Sequence, residues 1–399
     1  MPTQDELKVT VGRLLLLEDA LWIGDILASA RRHNGPAQAM VPLLLSGHAA
    51  RVVYEGRELL TSPNKNVALP DFVDLLRPEL HSSIPPARHA TKMLDNAVKK
   101  GQPVNEYELD IHEAWMSQRT ELMSKVRRGF SWLQPDLGFY TLGGAVVGAT
   151  IPLHLRFRLD EVPVENRPAH FRKLGLDLYT SLKVFSYLSG KNDAITPSLD
   201  LTAMDSIRDN DRSVNRYLKR GYDGVRSIDQ RLLLLLIESE VNTAATLIPL
   251  VTGPHVTAAF RARLISLWHA LSSVRKILAA DPARTSPAAT RVREVADSVD
   301  ARRLSAKGMD LVRNRSMHYE IRGKTQFAFS NGPMFGIIES VTGETFGRLD
   351  TVVRDVSQDM SAALREWRNS RWAPSGIRAH VGPASRLSRK RVLARPPLP

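Results

Sequence analysis

The sequence predicts a mainly α-helical protein, with a small β-element in its first half and a four-helix bundle in its second half. Most segments repeat apolar residues at every third or fourth position, which is the period of an amphipathic helix. The stretch 150–159 alternates apolar and polar residues instead, as a β-strand does. A polar and acidic segment separates the two halves and marks a domain boundary.

These patterns divide the 399 residues into four parts. Residues 1–190 form a helical N-terminal domain with a β-element at about 138–159, and residues 191–226 form a polar linker. Residues 227–367 form the bundle, and residues 368–399 form a basic, disordered tail with eight Lys/Arg and no acid. Such a tail attracts polyanions without selecting among them. It equally suits a solvated terminus that aids solubility.

The N-terminal domain is predicted to begin with an amphipathic helix at 14–32, which ends at the turn signal of His33-Asn34-Gly35-Pro36. A second apolar segment follows at 37–60. Further helices are predicted at 71–76, 87–99, 104–133 and 163–187.

The β-element starts with a Gly-rich apolar stretch at 138–148. The alternation that follows places Ile151, Leu153, Leu155, Phe157 and Leu159 on one face and His154, Arg156 and Arg158 on the other. This pattern predicts a β-hairpin or small sheet packed against helices. The basic face is an ordinary solvent face or, as the alternative, a phosphate contact.

The C-terminal bundle is predicted from long apolar segments joined by short connections, which favour antiparallel neighbours. Helices are expected at 227–250, at 256–278, from Ser286-Pro287 towards residue 320, and at 346–367. Serine at the cap and proline in the first turn are a typical helix start. A small hairpin around 326–339 is expected before the last helix.

The composition restricts the class of protein. The chain has no cysteine, so disulfides and thiolate metal sites are excluded and a reducing compartment is favoured. The N-terminus lacks the basic flank of a signal peptide, and no apolar window reaches the length of a membrane span. We therefore expect a cytoplasmic protein with no membrane partner.

Several common catalytic signatures are missing from the sequence. It contains no P-loop, no H-E-x-x-H and no G-x-S-x-G. Asp205, Asp209 and Asp211 do not have the spacing of an EF-hand loop and suit a solvated linker better. His269, beside Trp268 on an apolar helix, suits a core histidine. We expect neither a metal nor a cofactor.

One segment concentrates groups that suit chemistry on phosphate. Residues 311–320 read LVRNRSMHYE, and the helical pattern around them predicts a helix that carries Arg313, Asn314 and His318. Imidazole exchanges protons near neutral pH, and guanidinium binds phosphate in a bidentate fork. Arg315 and Tyr319 lie beside them, and Tyr319 either stacks on a ligand or packs. The structural alternative is a polar cluster at the end of a bundle.

This Arg-Asn-x3-His-Tyr segment resembles the motif of HEPN domains (higher eukaryotes and prokaryotes nucleotide-binding), which are helical bundles. The resemblance covers about the last third of the chain. It implies a metal-independent endoribonuclease in which Arg313, Asn314 and His318 are catalytic and Arg315 and Tyr319 bind the substrate RNA. It also implies a role as a toxin or anti-phage defence effector, with any antitoxin or trigger protein on a separate chain.

The spacing of the motif adds an expectation about assembly. At about 100° per residue, Arg313 and His318 lie about 140° apart on a straight helix, whereas Asn314 and His318 share a face. A composite site across a twofold axis, as in HEPN ribonucleases, would unite the groups, so we expect a homodimer. The alternative function is a non-enzymatic helical module that binds nucleic acid or an acidic protein.

Overall fold

A computed structural model describes residues 3–61, 84, 137–157, 162–188, 196–219, 221–225, 227–280, 286–321 and 328–370. In this part of the chain the predicted mainly α-helical class with a small antiparallel sheet is confirmed. The helices are α1 (Gln4–Arg32), α2 (Ala37–Leu44), α3 (Ser46–Thr61), α4 (Thr150–Phe157), α5 (Arg167–Leu188), α6 (Val214–Leu218), α7 (Ile228–Asn242), α8 (Val256–Ala280), α9 (Pro287–Ala296), α10 (Val299–Leu304), α11 (Lys307–Met317), α12 (Ile337–Thr342) and α13 (Phe346–Asn369).

Helix α1 begins ten residues before its predicted start, because a capping box fixes its first turn. The Thr3 hydroxyl accepts a hydrogen bond from the Glu6 N–H, and the Glu6 carboxylate accepts one from the Thr3 N–H. This reciprocal pair satisfies two N–H groups that have no partner inside the helix. The apolar periodicity starts only after the first turns of the helix, so it indicated where the helix becomes buried and not where it begins.

The sheet contains the predicted hairpin and one strand that was not predicted. Strands β1 (Leu137–Leu142) and β2 (Ala145–Ala149) are joined at Gly143 and Gly144, whose φ values of +57° and +80° suit a tight hairpin turn. Strand β3 (Arg208–Arg212) pairs antiparallel with the other edge of β1 and gives the order β2-β1-β3.

The predicted strand at 150–159 is wrong, because residues 150–157 form helix α4. Ile151, Leu153 and Phe157 are buried in this helix. A short apolar run fits both periods, so packing against the sheet decides its conformation. The side chains of His154 and Arg156, and all of Arg158, lie outside the described residues.

The long apolar helix at 228–250 is confirmed, with a π-helical turn at Thr243–Leu247 between α7 and a last turn, Ile248–Leu250. The Asn242 amide donates to the Val146 carbonyl at 2.9 Å, and the Thr243 hydroxyl contacts the Val147 carbonyl at 3.2 Å. The helix is therefore anchored to β2 where its winding changes. The expectation that no apolar window reaches the length of a membrane span is wrong, because by length and composition this helix is able to cross a membrane. However, 72% of its most apolar window is buried inside the protein, as in a core helix.

Helices α7, α8, α9, α11 and α13 of the C-terminal half pack against one another. Ser286 caps α9 as expected, since its hydroxyl accepts from the Ala289 N–H.

The predicted hairpin around 326–339 is wrong for the residues described there. A 3-10 turn, Pro333–Gly336, leads directly into α12, and residues 334–336 all have positive φ, which closes a compact turn in place of a strand.

The two halves of the chain share a buried core. Trp22 of α1 donates from its indole nitrogen to the Val251 carbonyl at 2.7 Å. Asp25, also on α1, accepts hydrogen bonds from Ser198 and lies 3.0 Å from His255 Nε2. The division into domains stays a prediction, and the contacts across it are extensive.

Residues 196–225 carry parts of the fold, where the sequence predicts a polar linker. They contain β3, α6 and a 3-10 turn, and Met204, Leu218 and Tyr222 are buried. Apolar residues are sparse in this segment, so its composition did not indicate these elements.

The helices predicted at 71–76, 87–99 and 104–133 lie outside the described residues. The predicted tail begins inside α13, where Arg368 forms an ion pair with Glu238, and residues 371–399 lie outside the described part.

Candidate active site

Helix α11 carries Arg313, Asn314 and Arg315 but ends at Met317, one residue before His318. His318 has an extended backbone, with φ −121° and ψ 130°, and its N–H donates to the Asn314 carbonyl at 2.8 Å. The expectation that His318 lies on the helix is wrong. The angle of 140° between Arg313 and His318 therefore does not apply. Because the composite site was inferred from that angle, its geometric reason no longer holds. The homodimer stays a prediction.

The His318 ring is held by a carboxylate from the other end of the chain. Nδ1 of His318 lies 2.6 Å from Oε2 of Glu55, which is on α3. The Glu55 side chain is 6% exposed, whereas that of His318 is 40% exposed. The acid is thus inside the protein and the imidazole is at its surface.

This pairing has a chemical consequence for the ring. When an ionised Glu55 accepts the proton on Nδ1, the neutral imidazole presents the lone pair of Nε2. Nε2 makes no hydrogen bond to the described part of the chain. The pair therefore resembles the base and its orienting carboxylate in acid–base catalysis, where the carboxylate fixes the tautomer and stabilises the imidazolium.

Arg313 is held by an aromatic ring. Its guanidinium carbon lies 4.0 Å from the centroid of the Trp268 ring on α8, and its Nη1 lies 3.5 Å from the Met317 sulfur. Stacking of this kind fixes the plane of a guanidinium group. His269, expected to be a core histidine, is only half-buried beside the same tryptophan, with its ring at 83° to it.

Arg315 and Tyr319, predicted to bind RNA, are both buried. Arg315 donates to the Glu320 carbonyl at 3.4 Å, and burial lowers the pKa of its guanidinium. Tyr319 has no exposed surface, and its hydroxyl donates to Oδ2 of Asp19 at 2.6 Å. Burial, with the charge of Asp19, raises the pKa of Tyr319 well above its ordinary value. Stacking on RNA does not fit this position, and the packing alternative does.

Asn314 lies near the end of α11 and is half-buried. Its carbonyl accepts the His318 N–H, so its backbone closes the last turn beneath the histidine.

Tyr319 belongs to a buried ionic network, the Asp19 cluster, which consists of Asp19, Arg51, Arg261 and Tyr319. Asp19 accepts from Arg51 Nη2 at 2.9 Å, from Arg261 Nε at 3.0 Å and from the Tyr319 hydroxyl. Arg261 also pairs with Glu18 at 2.8 Å, so two arginines face two carboxylates. Burial alone would raise the pKa of Asp19, but the charges of Arg261 and Arg51 outweigh it and hold that pKa below its ordinary value.

The Asp19 cluster fixes the backbone on both sides of His318. Arg51 donates to the Ser316 carbonyl at 3.0 Å, and Tyr319 is tied to Asp19. Gly12 of α1 lies so close that an added Cβ would meet the Tyr319 carbonyl oxygen at 2.3 Å. Arg51 and Glu55 are one turn apart on α3, so one helix holds both the segment and the ring.

The sequence identified the motif but not Glu55, Asp19 or Arg51. Glu55 is separated from His318 by 263 positions, and no local pattern reports such a contact. The sequence did contain one indication of these three residues, namely that each is a charged residue within an apolar segment. Asp19 lies among the apolar positions of α1, and Arg51 and Glu55 lie in the apolar segment 37–60. Buried charges need partners, so these positions were candidates for a network.

Among the residues that the structure describes, no group of three or more His, Asp or Glu is arranged to hold a metal ion. Asp205, considered above with Asp209 and Asp211, pairs instead with His33 Nε2 at 2.9 Å and so anchors the end of α1.

No protein-family model, no curated protein and no solved structure matches this chain.

Proposed function

We propose that the protein is a metal-independent endoribonuclease of HEPN type, with His318 as the proton-transfer group. The observation that carries the proposal is the pair of His318 and the buried Glu55, 2.6 Å apart, with the imidazole at the surface. The Arg-Asn-x3-His-Tyr motif is the basis for the choice of family. Helices α7, α8, α9, α11 and α13 are taken as its bundle, in which α9 and α11 replace the single helix predicted from residue 286 towards 320.

The proposed reaction needs one base, one phosphate ligand and the RNA itself. Nε2 of His318 takes the proton of the 2′-hydroxyl, and the 2′-oxygen attacks the adjacent phosphorus. The bond from phosphorus to the 5′-oxygen breaks, this oxygen takes a proton from solvent as it leaves, and the imidazolium of His318 then returns its proton to solvent. The products are a 2′,3′-cyclic phosphate and a 5′-hydroxyl.

The other groups of the site assist this step. Glu55 stabilises the imidazolium that forms on His318. Arg313, oriented by Trp268, binds the scissile phosphate. Asn314 contributes through the turn that carries His318.

The resemblance also supplies the biological setting of the proposal. Such an enzyme would act in the cytoplasm as a homodimer and serve as a toxin or an anti-phage defence effector. Its antitoxin or trigger would be a separate protein.

The test is RNA cleavage by the purified full-length chain in EDTA, with His318→Ala, Arg313→Ala and His33→Ala beside the wild type. His33 is a matched control, because it also lies against a carboxylate, Asp205, at 2.9 Å but is far from the motif in sequence. We expect cleavage by the wild type and His33→Ala, and loss of cleavage in the other two. Inert wild-type protein, or equal cleavage by His318→Ala, would refute the proposal.

A second candidate function is a non-enzymatic module that binds nucleic acid or a protein. It is favoured by the burial of Arg315 and Tyr319, since two of the five predicted site residues serve the interior of the protein. The same assay separates the two, because a module of this kind leaves RNA intact in every variant.

A further inference from the structure

Helix α5 exposes an unusual mixture of side chains. Among the described residues, eight large apolar or aromatic side chains are exposed, and four of them, Phe171, Leu176, Tyr179 and Tyr187, are on this one helix. Leu176 is 63% exposed, Tyr179 58% and Tyr187 52%. Single exposed apolar residues are normal on a protein surface, but a concentration on one element marks a binding surface.

The exposed groups form a continuous line, which we name the α5 stripe: Arg172, Leu176, Tyr179, Lys183 and Tyr187. Successive members are four, three, four and four positions apart, so they stay on one side of the helix along its length. At 1.5 Å per residue the stripe is about 22 Å long. It is therefore long enough to meet several units of a linear polymer.

The orientation of the stripe is fixed by the opposite face of α5. Leu174, Leu178, Leu182 and Phe185 are buried, and α5 packs on α1 and α3. The Phe185 ring lies against Gly56, where an added Cβ would meet it at 2.7 Å. Gly56 follows Glu55 directly, so α5 rests on the helix that holds the His318 ring.

The charge of the stripe is of one sign. Arg172 begins the stripe, Lys183 lies between Tyr179 and Tyr187, and Lys173 is exposed beside the stripe. The single acidic residue of α5, Asp177, is buried. Lys183, between the two exposed tyrosines, therefore gives this side of the helix a cation that favours an anionic partner.

From this arrangement we infer that the α5 stripe binds single-stranded RNA. Tyrosine rings stack on unpaired bases, and interleaved arginine and lysine side chains meet the backbone phosphates, which is how single strands are held without sequence preference. In a duplex the bases are paired and stacked already, so they do not offer the same faces. The inference does not depend on RNA cleavage, because a chain that binds at α5 and cuts nothing would satisfy it.

An anionic membrane fits the stripe less well. A helix that lies in a membrane surface separates its apolar side from its basic side. On α5 the cation Lys183 lies between Tyr179 and Tyr187 on the same side of the helix, so insertion of these rings into lipid would carry it with them.

The test is fluorescence anisotropy with a labelled single-stranded RNA of about 12 nucleotides, in EDTA, on the full-length chain with His318→Ala to prevent cleavage. Tyr179→Ala should raise Kd about 5- to 100-fold, and Tyr179→Phe should restore binding because it keeps the ring. Lys183→Glu should raise Kd and reduce its dependence on salt. Circular dichroism and thermal unfolding confirm that these exposed variants are folded.

The controls are Phe329→Ala and Arg365→Glu, which make the same changes at exposed positions outside α5. Both should stay within about twofold of the parent. The inference is overturned if the parent does not bind the RNA, if Tyr179→Ala binds as tightly as the parent, or if a duplex of equal length competes equally. It is also overturned if Tyr179→Ala loses binding to phosphatidylglycerol vesicles while its RNA affinity is unchanged.

Discussion

Nδ1 of His318 and Oε2 of Glu55 lie 2.6 Å apart, although 263 positions separate the two residues in the chain. The carboxylate is buried in α3 and the imidazole is at the surface, just after the end of α11. The N-terminal half thus supplies a group to the motif of the C-terminal half.

Replacement of Glu55 tests this relationship directly. We expect Glu55→Gln to lower kcat for RNA cleavage by about 100-fold or more, because the imidazolium loses its counter-charge, with KM nearly unchanged. Glu58→Gln is the matched control, since Glu58 is exposed on the same helix. A change in KM alone would show that Glu55 does not act on the reacting state.

Removal of Asp19 should destabilise the protein strongly. Asp19→Ala leaves Arg51 and Arg261 buried without their shared carboxylate, and we expect a loss of about 3–5 kcal/mol in the free energy of unfolding, measured with urea. Glu18→Ala removes a partly exposed carboxylate from the same Arg261, and it should cost about 1 kcal/mol or less. Equal losses in the two variants would contradict a central role for Asp19.

Acid should weaken the hydrogen bonds that Asp25 of α1 makes with Ser198 and His255. Burial alone would raise the pKa of Asp25, but hydrogen bonds from Ser198, His255 and Ser29 outweigh it and hold that pKa below its ordinary value. Stability from Asp25 is therefore present above the pKa of an unfolded aspartate, about 3.9, and is lost as the pH falls through the lower folded value.

The measurement is urea unfolding between pH 7 and pH 3. Asp25→Asn should be less stable than the wild type at pH 7, and the difference should shrink as the pH falls. A constant difference across this range would show that Asp25 does not contribute to the acid dependence.

Gly12 should not accept a side chain. In Gly12→Ala the new Cβ meets the Tyr319 carbonyl, which is backbone, and we expect a loss of about 1–3 kcal/mol in stability. Cleavage should fall as well, because Tyr319 adjoins His318. The control is Gly175→Ala in α5, where the space is open and alanine favours the helix by about 0.5–1 kcal/mol. Thermal unfolding of the two variants should therefore shift in opposite directions.

The sequence predicted the elements that depend on local pattern. The long helices α8 and α13 were found because their apolar period extends over about six turns or more, and α7 because its apolar residues extend over about four. Helix α4 and strand β3 were missed, since a short apolar run fits both periods and β3 is formed by polar residues, RDNDR. Their conformations are set by the sheet on which they pack.

The candidate site also has a part that a local pattern predicts and a part that it does not. The motif is a local pattern, so Arg313, Asn314 and His318 were identified, but the place where α11 ends was not. Two residues past that end, the Tyr319 hydroxyl bonds to Asp19 across 300 positions. Partners at such distances are decided by tertiary packing, so no local pattern revealed the burial of Arg315 and Tyr319.

The Asp19 cluster has a practical consequence for experiments that express only part of this chain. A fragment that contains only the C-terminal helices would keep Arg261 and His318 but would lack Asp19, Arg51 and Glu55. Arg261 would lose both of its carboxylate partners, and His318 would have no orienting acid. Expression of the isolated motif domain is thus the wrong assay, and co-expression of separately encoded halves is the fitting way to ask whether they reassemble.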